Sequence, residues 1–358
     1  MKSVDASAPL WVLLGTRHGD NQQLLAIADA LGIPYRAVPL RFNAAAGLPP
    51  ALLGASRLAW KCKGDVPLSA PWPRAVLASG RKCVSAARWI REQSGGQTRL
   101  IHVNRPWAPL AWFDLVITTP QYAVPQRRNV LINRMPFLLP PTSAEVPLPA
   151  SFQVLAQTMP RPWTLAMIGG DSRPFVLDDA AAAALAEAVN AQVRTHGGSA
   201  WVLGSPRTPE SAMDVIERAL DVPSQLVRWG QGDNPYQALR QTADRFVVTM
   251  DSASMLTEAL LSGRPVVPFD LPVRPDWRWR LTASWRQAAE LAPGSIVGRS
   301  FEVLQDFGLL SSVRDLGLMR RSLEEAGAFD GTGIAPALAR QERENTLARI
   351  AALMATPR

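Results

Sequence analysis

Cysteine is scarce in this chain of 358 residues: Cys62 and Cys83 are the only two. A secreted scaffold stapled by disulfides needs more, so a reducing, cytoplasmic setting is expected. No CxxC pair is present and there are only three histidines, His18, His102 and His196. A zinc finger or a His-built metal centre therefore lacks its ligands. Long hydrophobic runs are missing too. The opening MKSVDASAPLWVLLG sets Asp5 before an apolar stretch too short for a signal-peptide core or a bilayer span, and no later run is long enough. Any membrane contact is expected to be peripheral, on the inner face. Acidic residues are in deficit, 30 against 38 Lys and Arg, for a net charge of +8. That balance favours phosphates, nucleic acid or acidic lipid headgroups. The chain has no dense Lys/Arg block and no RNP-like aromatic motif, so nucleic acid is not expected.

The length exceeds what one hydrophobic core usually supports, and two domains are the expectation. Trp11–Gly15 (WVLLG) is a continuous apolar run ending in glycine, as in a strand buried on both faces. A polar loop, 16–22, and a helical spacing over Gln23–Leu31 capped by Gly32 follow. The alternation recurs: strands at 74–78, 99–103, 114–118 and 129–132, with a helix over 84–92. A proline-rich stretch, 136–162, reads as a linker, because helices and central strands tolerate proline poorly. The alternation restarts with strands at 164–168, 200–203, 226–229, 245–249 and 265–269, separated by helical segments. The remainder is helical and rich in Trp and Arg, with a final helix over Arg340–Ala352. Strands alternating with helices predict an α/β protein with two doubly wound, Rossmann-like parallel sheets facing a cleft. The expected domains are 1–150 and 151–337, with 338–358 packing back on the first.

In such sheets ligands bind beyond the carboxyl ends of the strands. Gly169-Gly170-Asp171-Ser172-Arg173 joins a strand to a helical region: glycines let backbone approach an anion, Ser172 adds a hydroxyl and Arg173 a cation. A tight turn explains the same pattern. In Ser205–Pro209, Arg207 can grip a diphosphate while Thr208 caps a helix with Pro209 at its first position. Thr249–Glu258 (TMDSASMLTE) sets Asp251, Ser252 and Ser254 between a buried strand and an amphipathic helix. Ser254 or Ser252 caps that helix, and Glu258 either reads a ribose diol or complements the helix dipole. In Gly15–Gln22, Arg17 and free N–H groups can face an anion, and His18 or Asp20 can act as general base. Asp20 or Asn21 can equally cap the helix. The Gly turn Ser79-Gly80-Arg81-Lys82, with its two cations, or Gln121 can orient a sugar hydroxyl. His102, inside a strand, reads as a core residue, and His196 as support for a helix C-terminus.

Four segments, GTRHGDNQQLLAIADALG, LASGRKCVSAARWIRE with TRLIHVNRP, FDLVITTPQY and NPYQALRQTADRFVVTMDSASMLTEALLSGRPV, together with IGGDSR and SPRTP, span most of residues 11–270. In this order they resemble the plant mitochondrial fission factor family of the "elongate mitochondria" type and its bacterial homologues. That family is similar in turn to GT-B glycosyltransferases, notably the enzyme adding N-acetylglucosamine to the peptidoglycan lipid precursor. The resemblance implies that the first Gly-loop, with Gly15 and His18, faces the acceptor. It places Gly169, Gly170 and Ser172 near a donor diphosphate, Ser252, Ser254 and Met255 on a phosphate cradle, and Glu258 on the ribose. Pro206 stands where the family's run has a second arginine.

Two functions follow from the resemblance. One is an inverting, metal-independent hexosyltransferase, without cofactor, using a nucleotide-diphospho-sugar on a lipid-linked or cell-envelope acceptor. The other is a non-catalytic adaptor on a membrane surface. For the latter, Leu40–Lys63 sets Leu48, Leu52, Leu53, Leu58 and Trp60 beside Arg57, Lys61 and Lys63. Arg274–Arg286 interleaves Trp277, Trp279 and Trp285 with arginines. Both mixtures suit anionic interfaces; for the second, packing between domains with its arginines solvated is the preferred reading. An epimerase of the GxGxxG kind lacks its loop, since GTRHGDNQ has the wrong spacing.

Overall fold

The computed structural model describes residues 8–64, 68–140, 144–274, 277–292, 294–308 and 314–356. The lead with Asp5 and the side chain of Trp279 lie outside the described residues. Two compact units emerge: Met1–Leu139, Arg278–Met319 and Arg340–Arg358 in the first, Pro140–Trp277 and Arg320–Ala339 in the second.

The first unit runs Leu10–Leu14 (β1), His18–Ala30 (α1), Tyr35–Phe42 (β2), Pro50–Leu53 (α2), Trp60–Cys62 (β3), Ala75–Ser79 (β4), Val84–Gln93 (α3), Arg99–Val103 (β5), Leu115–Thr118 (β6) and Val130–Ile132 (β7). The sheet order is β3-β2-β1-β4-β5-β6-β7, parallel throughout except for β3 against β2. Period-two alternation sorts β1 between two cores. Leu10 and Val12 pack with Leu24 and Ile27 of α1, while Trp11 and Leu13 pack with Val84 and Ile90 of α3. Burial on both faces is what a continuous apolar run requires.

Two strands, β2 and β3, are absent from the sequence reading. In β2, Arg36, Val38 and Leu40 alternate into the core, but Pro39 interrupts the pattern. Proline is tolerated here because Pro39 pairs with Leu14 on one side and on the other offers only its carbonyl, to Lys63 N–H at 2.8 Å. The buried guanidinium of Arg36 lies 4.8 Å over the Trp11 ring, which offsets part of its desolvation.

The second unit runs Ala150–Thr158 (α4), Trp163–Met167 (β8), Asp179–His196 (α5), Ser199–Leu203 (β9), Glu210–Ala219 (α6), Ser224–Val227 (β10), Tyr236–Thr242 (α7), Arg245–Thr249 (β11), Ala253–Leu260 (α8) and Val266–Phe269 (β12). Its sheet is wholly parallel, in the order β10-β9-β8-β11-β12. The stretch 136–162 is thus only in part a linker: past Pro149 the proline-free ASFQVLAQT folds as α4.

Trp277–Leu291 (α9), Ile296–Asp306 (α10), Leu316–Glu325 (α11) and Ile334–Ala355 (α12) complete the chain. Residues 278–319 group with the first unit, not with the second as expected. Polar ties explain this: Arg127 pairs with Asp306 at 2.7 Å, Gln305 donates to the Ala123 carbonyl at 3.0 Å, and Asp315 N–H donates to the Gln121 carbonyl at 2.8 Å. Ile350 of α12 joins the same core as α1, and Glu342 takes the Arg134 N–H at 2.8 Å.

Candidate functional site

At the carboxyl edge of the second sheet, Thr249 ends β11 and Asp251 follows it, fully buried. The Asp251 carboxylate accepts from Thr249 Oγ1 at 2.7 Å, from Gly170 N–H at 3.3 Å and from the Arg207 guanidinium at 2.6 Å. Gly169 N–H donates to Thr249 Oγ1 at 2.7 Å, and Ser205 Oγ donates to the Gly169 carbonyl at 2.9 Å. A Cβ at Gly169 would overlap the Asp251 carboxylate, and one at Gly170, whose φ is +147°, would overlap the Arg207 backbone. The Gly-Gly pair therefore permits close approach of protein to protein. Ser172 closes a tight turn with Phe175 by two backbone bonds, 3.2 and 2.9 Å, and Arg173 is exposed.

Ser252, not Ser254, caps α8, its Oγ 3.4 Å from Met255 N. Glu258 accepts the hydroxyl of Tyr236, with Arg240 Nε 3.9 Å away. Burial and the Glu258 charge push the Tyr236 phenol well above its ordinary range. Several groups expected on a donor nucleotide thus bind each other.

The first sheet ends differently. Beyond β1, β4 and β5 lies a cavity of about 370 Å³ whose lining includes Arg17, Arg81, Lys82 and Arg105. Among its described lining residues Asp20 is the only acid. The helix α1 starts at His18, five residues earlier than the spacing predicts, and its N-cap Arg17 makes no side-chain cap bond. Neither Asp20 nor Asn21 caps it. Instead Asn21 bonds both the N–H (2.9 Å) and the carbonyl (3.1 Å) of Gly15, tying the helix start back to β1. That leaves the first N–H groups of α1 beside the cavity, with the favourable end of its dipole.

Asp20 takes a hydrogen bond from Asn104 Nδ2 at 3.1 Å. Burial raises its carboxyl above the usual range, against Arg17, the Asn104 bond, Arg314 and Ser79, all of which lower it. Arg105 is only 6% exposed and donates to the Tyr122 carbonyl at 3.3 Å; burial pulls it down to about 10. The Cys83 thiol at the cavity wall is pushed up to about 12 by burial, which disfavours its thiolate. Backbone strain concentrates here. Among the described residues the positive-φ non-glycines are Asn104 (66°), Trp107 (55°) and Ala123 (45°). The first two line the cavity and the third follows Tyr122, which also lines it. Such strain persists where the surroundings hold it and gathers at functional sites.

Of the sequence candidates, Gly15, Arg17, Asp20, Gly80 and Arg81 meet at this cavity. His18 does not line it: exposed, its ring lies 3.4 Å from Gln22, since a helix start turns successive side chains apart. Gln121 does not either: its amide donates to Thr119 Oγ1 at 3.0 Å within a buried turn. Lys82, of the turn Ser79–Lys82, joins those at the cavity, whereas Asn104, Arg105, Trp107 and Tyr122 were missed as site residues. Asn104-Arg105-Pro106-Trp107 directly follows a strand, which is the one local signal that could have marked it. His102 is buried against Phe113, its ring nitrogens facing the Gly80 and Asn104 backbone without reaching hydrogen-bond geometry; burial lowers it to about 4.

Residues 18–290 match the Mitochondrial fission ELM1 family. The chain belongs to that family. The match takes in Asp20, Arg81, Asp251 and Glu258 alike. Within reach are "Uncharacterized protein RP120" of Rickettsia prowazekii, 22% identical over 74% of this chain and 83% of its own length, and an Arabidopsis thaliana relative. The latter, the Mitochondrial fission protein ELM1, is 29% identical over 54% of this chain, which spans about half (51%) of the plant protein's length. A Listeria monocytogenes protein described as a UDP-N-acetylglucosamine 2-epimerase shares the fold, with a TM-score of 0.51 at 12% identity over 96% of this chain and 95% of that one. The ELM1-family chain thus has a fold of GT-B type, built from two Rossmann-like units. The missing GxGxxG loop excludes only epimerases built on that loop, not this fold.

Proposed function

We propose that this chain is a non-catalytic, membrane-surface protein that retains the GT-B fold. Family membership supports this reading, and one structural observation carries it. The excursion between β2 and β3 leaves Leu48 (44%), Leu52 (74%) and Leu58 (63%) exposed. The cations Arg57, Lys61 and Lys63 are exposed beside them in the chain. Leu53 and Trp60, expected in the same surface, are buried instead, and Arg57 stacks between Trp60 (5.2 Å) and Trp89 (5.1 Å). Exposed leucines flanked by cations suit the interface of an anionic bilayer. No described helix is long and apolar enough to cross one. The expected result is co-flotation with vesicles containing phosphatidylserine and loss of flotation in neutral vesicles. Failure to float with either removes the reading.

A second reading is favoured by the carboxyl of Asp20, raised in pKa by burial inside a cavity. In it the chain is an inverting, metal-independent glycosyltransferase. Asp20 takes the proton of an acceptor hydroxyl, whose oxygen attacks the anomeric carbon. The bond from that carbon to the diphosphate oxygen breaks, and the diphosphate leaves with the electron pair. Second-unit groups at Gly169–Arg173 and Ser252–Glu258 hold the leaving group, which requires Arg207 to exchange Asp251 for phosphate. Calorimetry with nucleoside diphosphates and nucleotide sugars tests it, wild type against Glu258→Ala. Absence of binding by the wild-type chain sinks transfer and leaves the first reading standing.

A further inference from the structure

We propose that the first-unit cavity is a binding site for a phosphate ester, with Arg17, Arg81 and Lys82 as its cations and Trp107 in its lining. The cavity is the one that holds Asp20 in the second reading; it takes this guest whether or not transfer occurs there.

The argument begins with charge. Four cationic side chains and one carboxyl share the lining of a single cavity. Arg17 and Lys82 are exposed and Arg81 half-buried, so water screens their mutual repulsion without cancelling it. Carboxylate neighbours could quench such a set, but Asp20 is the only acid in the described lining. A dianionic guest removes that repulsion.

Geometry points to the same chemistry. The uncapped start of α1 lies at the lining, and the turn Arg81–Cys83 leads into α3, whose N-cap Cys83 also makes no side-chain cap bond. The α1 start suits phosphoryl oxygens, whereas the leading amides of α3 are taken by the turn before it, Cys83 N–H by the Gly80 carbonyl and Val84 N–H by that of Arg81; guanidinium groups suit bidentate recognition. Gly80, at φ +77°, brings backbone to the cavity where a side chain would be strained. Size sets the rest of the guest. The cavity, about 370 Å³, holds on the order of a dozen times a water's share of liquid volume. That is room for a phosphoryl group and a small polyol or sugar. Trp107, 42% exposed in a strained backbone conformation and with the Arg105 guanidinium 5.4 Å over its ring, adds apolar surface for the latter.

A soluble phosphate ester and a lipid headgroup present the same chemistry. The test therefore titrates the full chain with sn-glycerol 3-phosphate and with monomeric dihexanoyl phosphatidic acid, read by calorimetry and by the phosphorus-31 shift. Saturable binding is expected, weakened about tenfold or more per lost cation in Arg81→Gln and Lys82→Gln. Arg218→Gln, an equal charge change on the exposed face of α6, leaves it unaltered. Asp20→Asn is expected to tighten it by removing the one like charge. Equal binding of both probes assigns a free ester; binding of the acylated probe alone assigns a headgroup. No saturable binding of either probe overturns the proposal, as does an Arg81→Gln/Lys82→Gln double variant that binds like Arg218→Gln. Unchanged melting of the variants guards against misfolding, since Lys82 is exposed and Arg81 half-buried.

Discussion

At the carboxyl edge of the second sheet, a fully buried Asp251 collects bonds from Gly170, Thr249 and Arg207, and the neighbouring hydroxyls of Ser205 and Thr208 turn onto the Gly169 carbonyl. At the same edge of the first sheet, Asp20 takes one bond from Asn104 and shares a cavity with four cations. Both edges are built from Gly, Ser, Arg and Asp in strand-end loops. One has satisfied its polar groups internally; the other presents them. The lesson is that composition marks where a site can be, whereas the pairing of its charges decides what is left for a ligand.

Breaking the second edge should have the largest effect. Asp251→Ala strands two buried donors, Gly170 N–H and Thr249 Oγ1, and unties Arg207. Loss of about 3 kcal/mol is expected in a denaturant melt, at the low end for a broken buried pair because Arg207, 41% exposed, can turn to water. An unchanged melt would show that this network does not hold the second unit together.

The next effect belongs to the first unit and to pH. His102 has a folded-state pKa of about 4 against an ordinary 6.5. Below about pH 6.5 the unfolded chain takes up a proton that the folded chain refuses. This contribution is fully present above pH 6.5 and shrinks as pH falls to about 4, by about 3 kcal/mol in all. His102→Leu should flatten that part of the stability profile; an identical slope in the variant would assign it elsewhere.

Asp20→Asn sharpens the contrast with Asp251 through its sign. The folded carboxyl holds its proton more firmly than the unfolded one, so its contribution is lost as pH rises above 3.8 through the raised value. At neutral pH the variant should therefore melt no earlier than wild type, and later if burial outweighs the lost charge pairs. A clear drop in midpoint would mean that the Asp20 charge is structural, like that of Asp251. Smallest for stability is Leu52→Glu with Leu58→Glu, within about 0.5 kcal/mol for exposed positions. The same pair should abolish vesicle flotation; retained flotation would move the membrane surface elsewhere.

Much of the fold was legible. WVLLG, RLIHV and RFVVT are apolar runs that only a strand covered on both faces explains, and Gly32 and the Gly197-Gly198 pair stop helices where they stand. The strand β2 was lost because Pro39 reads as a breaker, and only its position between Leu14 and Lys63 makes it harmless. At the site, Arg17, Asp20, Gly80 and Arg81 could be found because each sits within a few residues of a strand end. Arg105 and Trp107 could not be ranked, since nothing local says that the chain there turns through positive φ toward β1 and β4.

Hydrophobic periodicity and glycine placement act over a few residues, and they sufficed to specify the alternation of strands and helices and the loops at the strand ends. The partner of each polar group was decided by the tertiary structure. Arg207 meets Asp251 across 44 residues, and Asn104 meets Asp20 across 84. A charge acts through space and not along the chain, so which strand-end loop closed on itself and which stayed open was settled only when the sheets brought those loops together.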